Sequence, residues 1–506
     1  MARAIATMIC TCFMILCTMN VSGAGLGVSW GRLSTQKLLP SMIVDMVLAS
    51  GIKKMKLYSN NPGVVPAFWN ADIELTITVP NGEFLFTNTT EVARKFVKEN
   101  ITELMFNEQT RQGIKFTYIL VGNEPYSKMF YRNDYLKSLY PSLQNLQKAL
   151  VEDKLADKVK LSVPHYTDVL KPNITKPSNG EFRDDLDEDF FSMLGYLNDH
   201  GYPFTIHIYP HLRLRELGYP IDFGIFEGVG VNKSFIVKDG PIEYTNIFDV
   251  TYDTVISAIR RAGYDLEVMV GQVGWPTDGD DYSSPYWAQK FYDGFLRKMA
   301  KNEGTPLHPG PLEAYVYTLV DENSRTAGRS PSDRHYGIYK YDGTSKLNLD
   351  FTLKGRPKGS LVNATGITYM PKRWCIFNKR KRLDDMAKLK KQFDMACFFA
   401  DCSRLTYGSS CHGLDLIGNL SYAFNNYFQS KNQEESTCDY DGNGMITHEN
   451  PSRGNCEFEL QILATMTNRG NNEMTKTLAG DAERLNMGFQ VTTYVVPLIW
   501  IWYTLL

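Results

Sequence analysis

The sequence predicts an α/β protein: an eightfold (β/α)8 TIM barrel followed by a small disulfide-rich C-terminal module. Three observations predict it. Short apolar runs alternate with amphipathic stretches from about residue 25 to 351. Six cysteines fall in one window that begins at Cys375, and none lies between Cys17 and that window. The chain has 506 residues, more than one average domain holds.

The apolar runs are GLGVSW, IKKMKLY, IELTITVP, FTYILVG, VKLSVP, FTIHIYP, LEVMVG and AYVYTLV. Each has the length of a strand, and together they make eight strand candidates. TEVARKFVKENI, SLYPSLQNLQKALVED and FDVTYDTVISAIRRAG have helical apolar spacing, and a helix is expected from Ser284 before the last strand. In such a barrel the chemistry sits at the carboxyl ends of the strands.

Residues 1–24 have a signal-peptide layout: Arg3, an apolar stretch, then small residues with cleavage near Gly23 or Ala24. The barrel is expected over 25–351. A Gly-, Pro- and Lys-rich linker follows over 352–372, then the cysteine module over 373–460. A polar stalk is expected over 461–481. Residues 482–506 end in the apolar run VTTYVVPLIWIWYTLL. Small residues at Ala479, Gly480 and Asp481, a polar spacer and that terminal tail make a glycosylphosphatidylinositol attachment signal. A transmembrane helix is the alternative, but the tail is short, contains Pro497 and has no basic flank after it.

An exported chain gives the cysteines and sequons their meaning. Cys10, Cys12 and Cys17 lie in the leader. Cys375, Cys397, Cys402, Cys411, Cys438 and Cys456 imply three disulfides whose pairing the sequence leaves open. Asn88, Asn100, Asn173, Asn232, Asn363 and Asn419 are glycosylation candidates. The formal net charge of −2 argues against a nucleic-acid partner. No metal is expected: there is no Cys-x-x-Cys pair, and His165, His207 and His335 lack ligand spacing. Asp439 to Asn450 imitates a calcium loop, but its last ligand position is wrong. The basic run from Asn378 to Arg382 is a solvated turn.

Two strand ends carry the candidate chemistry. FTYILVG runs into Asn123 and Glu124, and LEVMVG runs into Gln272. Paired carboxylates at such ends are the apparatus of a retaining glycoside hydrolase. Here one of the two is an amide.

GVSWG, ILVGNEP, PFTIHIYP, YTNIFD, VGQVGWPTDG and TLVDENSR resemble glycoside hydrolase family 17, the plant endo-1,3-β-glucanases. WC at 374–375, DMAC, ADCS, SSC, LSYAFNNYFQ, STCDY and GNC resemble the X8 module, carbohydrate-binding module family 43, an α+β fold. The resemblance implies a groove for β-1,3-glucan, including callose, with no cofactor. It makes Glu124 the proton donor, with Asn123 bonding the sugar beside it. It implies that Tyr58, Tyr209, Trp275, Glu322 and Arg325 bind substrate, Trp275 as a rim aromatic. Ser59, His207, Arg325 and Asp333 stand where the family more often has Asp, Asn, Lys and Glu.

The family nucleophile is a glutamate where this chain has Gln272. An amide oxygen is a poor nucleophile that no pKa shift can activate. Without a neighbouring carboxylate, Glu124 should also ionise more readily. Asp278, Asp280 and Asp281 are the nearby substitutes. The expectation is a monomer on the outer face of the plasma membrane, facing the cell wall on a lipid anchor. It binds β-1,3-glucan with impaired hydrolysis; the alternative is an active endo-1,3-β-glucosidase.

Overall fold

The computed structural model describes residues 25–464, apart from 130–135, 227–234, 327 and 356–360. The expected leader, the expected attachment signal and Asn232 lie outside the described residues. All eight expected strands form. They are β1 (Gly25–Trp30), β2 (Lys54–Leu57), β3 (Glu74–Val79), β4 (Lys115–Val121), β5, β6 (Phe204–Ile208), β7 (Val268–Val273) and β8 (Glu313–Val316). β5 is two segments, Lys160–Ser162 and Pro164–Tyr166. The first pairs with β4 and the second with β6, every pairing is parallel, and β1 pairs with β8, so the sheet closes.

Among the described residues, the helices that follow the strands around the barrel include α1 (Pro40–Ala49), α2 (Thr90–Val97), α3 (Leu139–Glu152), α4 (Glu188–His200), α5 (Ile247–Arg261) and α6 (Pro285–Ala300). Their starts are chemically marked. The Asp187, Asn246 and Ser284 side chains accept from backbone N–H groups in the first turns of α4, α5 and α6. Gly201 ends α4 in the left-handed conformation. Strand residues such as Val28, Ile77, Ile119, Ile206 and Val270 are fully buried. Each such side chain stabilises the fold by roughly 1.5–3 kcal/mol.

The module pairs Trp374–Phe377 with Gly444–Thr447 antiparallel, against helices Met386–Phe399 and Leu416–Ser430. Its disulfides are Cys375–Cys438, Cys397–Cys402 and Cys411–Cys456. The Cys375–Cys438 bridge sits among Phe377, Phe424 and Phe428, and Cys411–Cys456 among Trp374, Tyr422 and Phe458. Part of the stretch expected as linker is strand: Ile367–Tyr369 pairs antiparallel with Ile462–Ala464, at the start of the expected stalk. Ile462 is buried in the barrel's own core cluster.

The module rests on the barrel. Arg334 Nη1 meets Asp401 Oδ1 at 2.8 Å, and His335 Nε2 meets Ser403 Oγ at 2.7 Å. Ser410 donates to Asp278 through its backbone N–H at 2.9 Å and its hydroxyl at 2.5 Å. Of the sequons, Asn173 and Asn363 are exposed. The amide nitrogens of Asn88 and Asn100 are engaged with Ser138 Oγ and the Phe96 carbonyl.

Candidate active site at the carboxyl ends of the strands

Glu124 sits in a strained turn after β4. Gly122 and Glu124 both have positive φ, 80° and 53°. Only glycine adopts this readily, so the glutamate carries a backbone cost. The broken β5 helps hold it: the Glu124 N–H donates to the Pro164 carbonyl at 3.0 Å. Asn81 brackets the turn, accepting from the Asn123 N–H at 2.6 Å and donating to the Asn123 carbonyl at 3.1 Å. The Asn123 Oδ1 is buried and has no hydrogen-bond partner among the described residues.

The Glu124 side chain is 2% exposed, and both its oxygens are taken. Oε1 lies 2.7 Å from His207 Nδ1, and Oε2 lies 2.5 Å from Arg329 Nη2. His207 Nε2 in turn meets Lys56 Nζ at 3.2 Å, and Lys56 also donates to the Gly271 carbonyl at 2.9 Å. A neutral imidazole fits both contacts: Nδ1–H donates to the carboxylate and Nε2 accepts from the lysine. Burial pushes the Glu124 carboxyl up, but the His207 hydrogen bond and the Arg329 charge outweigh it, bringing it down to about 2. Burial and the nearby Lys56 hold His207 down, at about 4. Burial pulls Lys56 down to about 7, against the attraction of Glu124.

Gln272 lies across the barrel on β7, in register with His207. The ladder between β7 and β6 shifts register between Val270 and Gln272, and such a bulge re-aims a side chain. Glycine is required just before it, because a Cβ on Gly271 would lie 2.5 Å from Thr205 Cγ2. Gln272 is 2% exposed and held at both ends. Its Oε1 accepts from the Tyr209 hydroxyl, and its Nε2 donates to the Tyr58 hydroxyl at 2.9 Å. Tyr209 belongs to a buried aromatic cluster with Tyr166, Tyr317 and Tyr336, and Tyr58 packs against it.

Glu322 and Arg325 form the third part of the site. The Tyr317 hydroxyl donates to Glu322 Oε2 at 2.8 Å, and Arg325 Nη1 meets the same oxygen at 3.4 Å. Gly31, the last residue of GVSWG, permits this: a Cβ there would lie 1.8 Å from Glu322 Oε1. A hollow of about 270 Å³ opens beside Tyr58, lined also by Trp30, Gly31, Lys37, Asn61 and Val64.

Some expectations need correction. Trp275 is not a rim aromatic. It is 0% exposed, packed against His211 and Phe291, with its indole N–H donating to the Tyr282 carbonyl at 3.0 Å. A tryptophan so enclosed has no face for a sugar. The substitute carboxylates are engaged elsewhere: Asp278 with Ser410, Asp280 with His211 and Ser283, and Asp281 with Arg215. Asp333 belongs to a capping box with Ser330. Sequence reasoning missed Arg329 and Lys56. Arg329 lies in a loop with no local signal. Lys56 had one, since a lysine inside an apolar strand run must find a partner.

The profile of glycosyl hydrolases family 17 matches residues 26–351. The chain belongs to this family. An X8 domain profile matches residues 373–445. Among relatives of the family, glucan endo-1,3-beta-glucosidase 8 of Arabidopsis thaliana is 37% identical over 445 residues, 87% of this chain and 90% of that protein. Glucan endo-1,3-beta-glucosidase 5 of the same plant is 33% identical over 452 residues, 89% of this chain and 90% of that protein. A solved structure of a beta-1,3-glucanase and allergen of Cryptomeria japonica pollen aligns with a TM-score of 0.59 at 28% identity, covering 65% of this chain and 99% of that one. The family's barrel is thus formed in this chain, with Glu124 after β4 and Gln272 on β7.

Proposed function

We propose that the protein binds β-1,3-glucan, callose included, in the groove over the strand ends and hydrolyses it poorly or not at all. The observation that carries this reading is Gln272, buried and hydrogen-bonded at both ends by Tyr58 and Tyr209, where the sequence resemblance implies a nucleophilic glutamate. Retaining hydrolysis needs a carboxylate to attack the anomeric carbon and a protonated acid to release the leaving oxygen. Gln272 offers no charge for the first step. Glu124, held at about 2, supplies little proton for the second near neutral pH. The unpartnered Asn123 Oδ1 and the hollow beside Tyr58 are suited to a sugar hydroxyl and ring.

An active endo-1,3-β-glucosidase is the second reading, favoured by the names of the relatives. In either case the expected leader and attachment signal support a lipid anchor on the outer face of the plasma membrane, with the X8 module adding glucan affinity. The test is direct. The ectodomain is expressed, and laminarin binding and reducing-end release are measured for the unaltered protein and Gln272→Glu. Binding without release is expected. Release at the rate of a family hydrolase overturns the proposal.

A further inference from the structure

Glu124 is bonded on both oxygens, but the two bonds differ in origin. The His207 bond comes from the barrel wall. The Arg329 bond comes from the loop after β8, outside the expected motifs. Arg329 is set firmly: its N–H donates to Asp333 Oδ2 at 2.9 Å, and its guanidinium lies 3.9 Å from the Tyr166 ring centre. Next to it, Ser330 caps the turn Pro331–Arg334 and donates to Asp280 Oδ2 at 3.1 Å. The Arg329 side chain is 12% exposed, so its pairing with Glu124 is screened little by solvent.

We infer that Arg329 is a lock on Glu124. Its guanidinium occupies the carboxylate oxygen that His207 leaves over, so that Glu124 accepts hydrogen bonds and has no proton to give. This rests on the reading of a non-hydrolytic site and adds to it a second fault, independent of Gln272. Other groups also act on Glu124: Lys56 from β2, Tyr58 after it, His165 and Tyr166 from β5, Asp168 beyond, and His207 and Tyr209 at the end of β6. Of these, His207 bonds the carboxylate directly, and among the described residues it shares the two oxygens with Arg329. His207 donates as a neutral ring, which leaves Arg329 as the cation on the carboxylate.

The lock predicts a split by leaving group. In Gln272→Glu, the new carboxylate can bond to the anomeric carbon as the glycosidic C–O bond breaks. A dinitrophenolate leaves with the electron pair and needs no proton, whereas a sugar oxygen must take one from Glu124. With dinitrophenyl β-laminaribioside and laminarin as substrates, adding Arg329→Gln to Gln272→Glu should raise the laminarin rate relative to the aryl glycoside rate by about tenfold or more. An unchanged ratio overturns the lock.

A second measurement does not depend on any turnover. The Glu124 carboxyl band is followed by infrared acid titration in the ectodomain, with Glu124→Gln as the blank. Arg329→Gln should move its protonation upward by about one pH unit or more, and Arg329→Lys should stay near the unaltered protein. Coincident titrations of the unaltered protein and Arg329→Gln overturn the lock. Laminarin hydrolysis by the unaltered protein would instead overturn the proposed function, and the Arg329 titration would still be readable.

Discussion

The two strand ends that face each other across the barrel make the useful comparison. Both Glu124 and Gln272 are 2% exposed, and both are hydrogen-bonded at each terminal atom. They differ in charge. Glu124 is an anion inside a line of Lys56, His207 and Arg329, whereas Gln272 is neutral between two tyrosine hydroxyls. An amide keeps the shape of a carboxylate and satisfies its neighbours, because the Tyr58 hydroxyl can accept where it would otherwise donate. The fold therefore accommodates an amide at Gln272, and the proposed loss of hydrolysis rests on the charge that an amide lacks. Glu124 has Arg329 and Glu322 has Arg325, while burial holds Lys56 down at about 7 against the attraction of Glu124.

The comparison is broken most strongly by making the ends alike. Gln272→Glu with Arg329→Gln should raise laminarin hydrolysis by about 10³-fold or more over the unaltered protein, read as reducing ends. The converse change, Glu124→Gln, leaves Arg329 buried opposite an uncharged partner. Denaturant unfolding should record a loss of about 3–5 kcal/mol.

Acid sharpens the contrast, because only one end titrates. Glu124 falls from an ordinary 4.5 to about 2 in the fold. Its contribution is complete above pH 4.5 and disappears as the pH drops towards 2, worth about 3 kcal/mol across that window. His207, lowered from 6.5 to about 4, acts in the same direction at higher pH: the unfolded chain takes up its proton first, so stability declines from 6.5 downward. Melting temperature against pH should decline in these two stages, and Arg329→Gln should shift the lower stage upward. The smallest effect belongs to the neutral end. Tyr58→Phe removes one bond to Gln272 and should cost about 1 kcal/mol in the same unfolding assay.

Much of this was legible in the sequence because barrel strands are continuous apolar runs and the motifs sit where they end. All eight strands, Glu124 and Gln272 follow from that pattern. What was not legible depends on contacts between distant residues. Arg329 is 205 residues from Glu124, and no spacing within its loop announces the pair. His207 stood out as an unusual residue, but not as the partner of Glu124 and Lys56. Trp275 misled because the resemblance implied a rim aromatic there, and packing against Phe291 and His211 reveals it as core. The disulfide pairing was closed to sequence for the same reason.

The pairing of Ile367–Tyr369 with Ile462–Ala464 has a mechanical consequence. Because the two segments are antiparallel, Ile367 and Ala464 lie at the same end of the ladder. Tension between the barrel and the chain beyond Ala464 would open those pairs one after another, as a zipper opens. Only then would load pass into the module, where the Cys375–Cys438 and Cys411–Cys456 bridges cut across most of the loop it would have to pay out. The seam would act as the fuse, and the disulfides would set how far the chain could lengthen after it had blown.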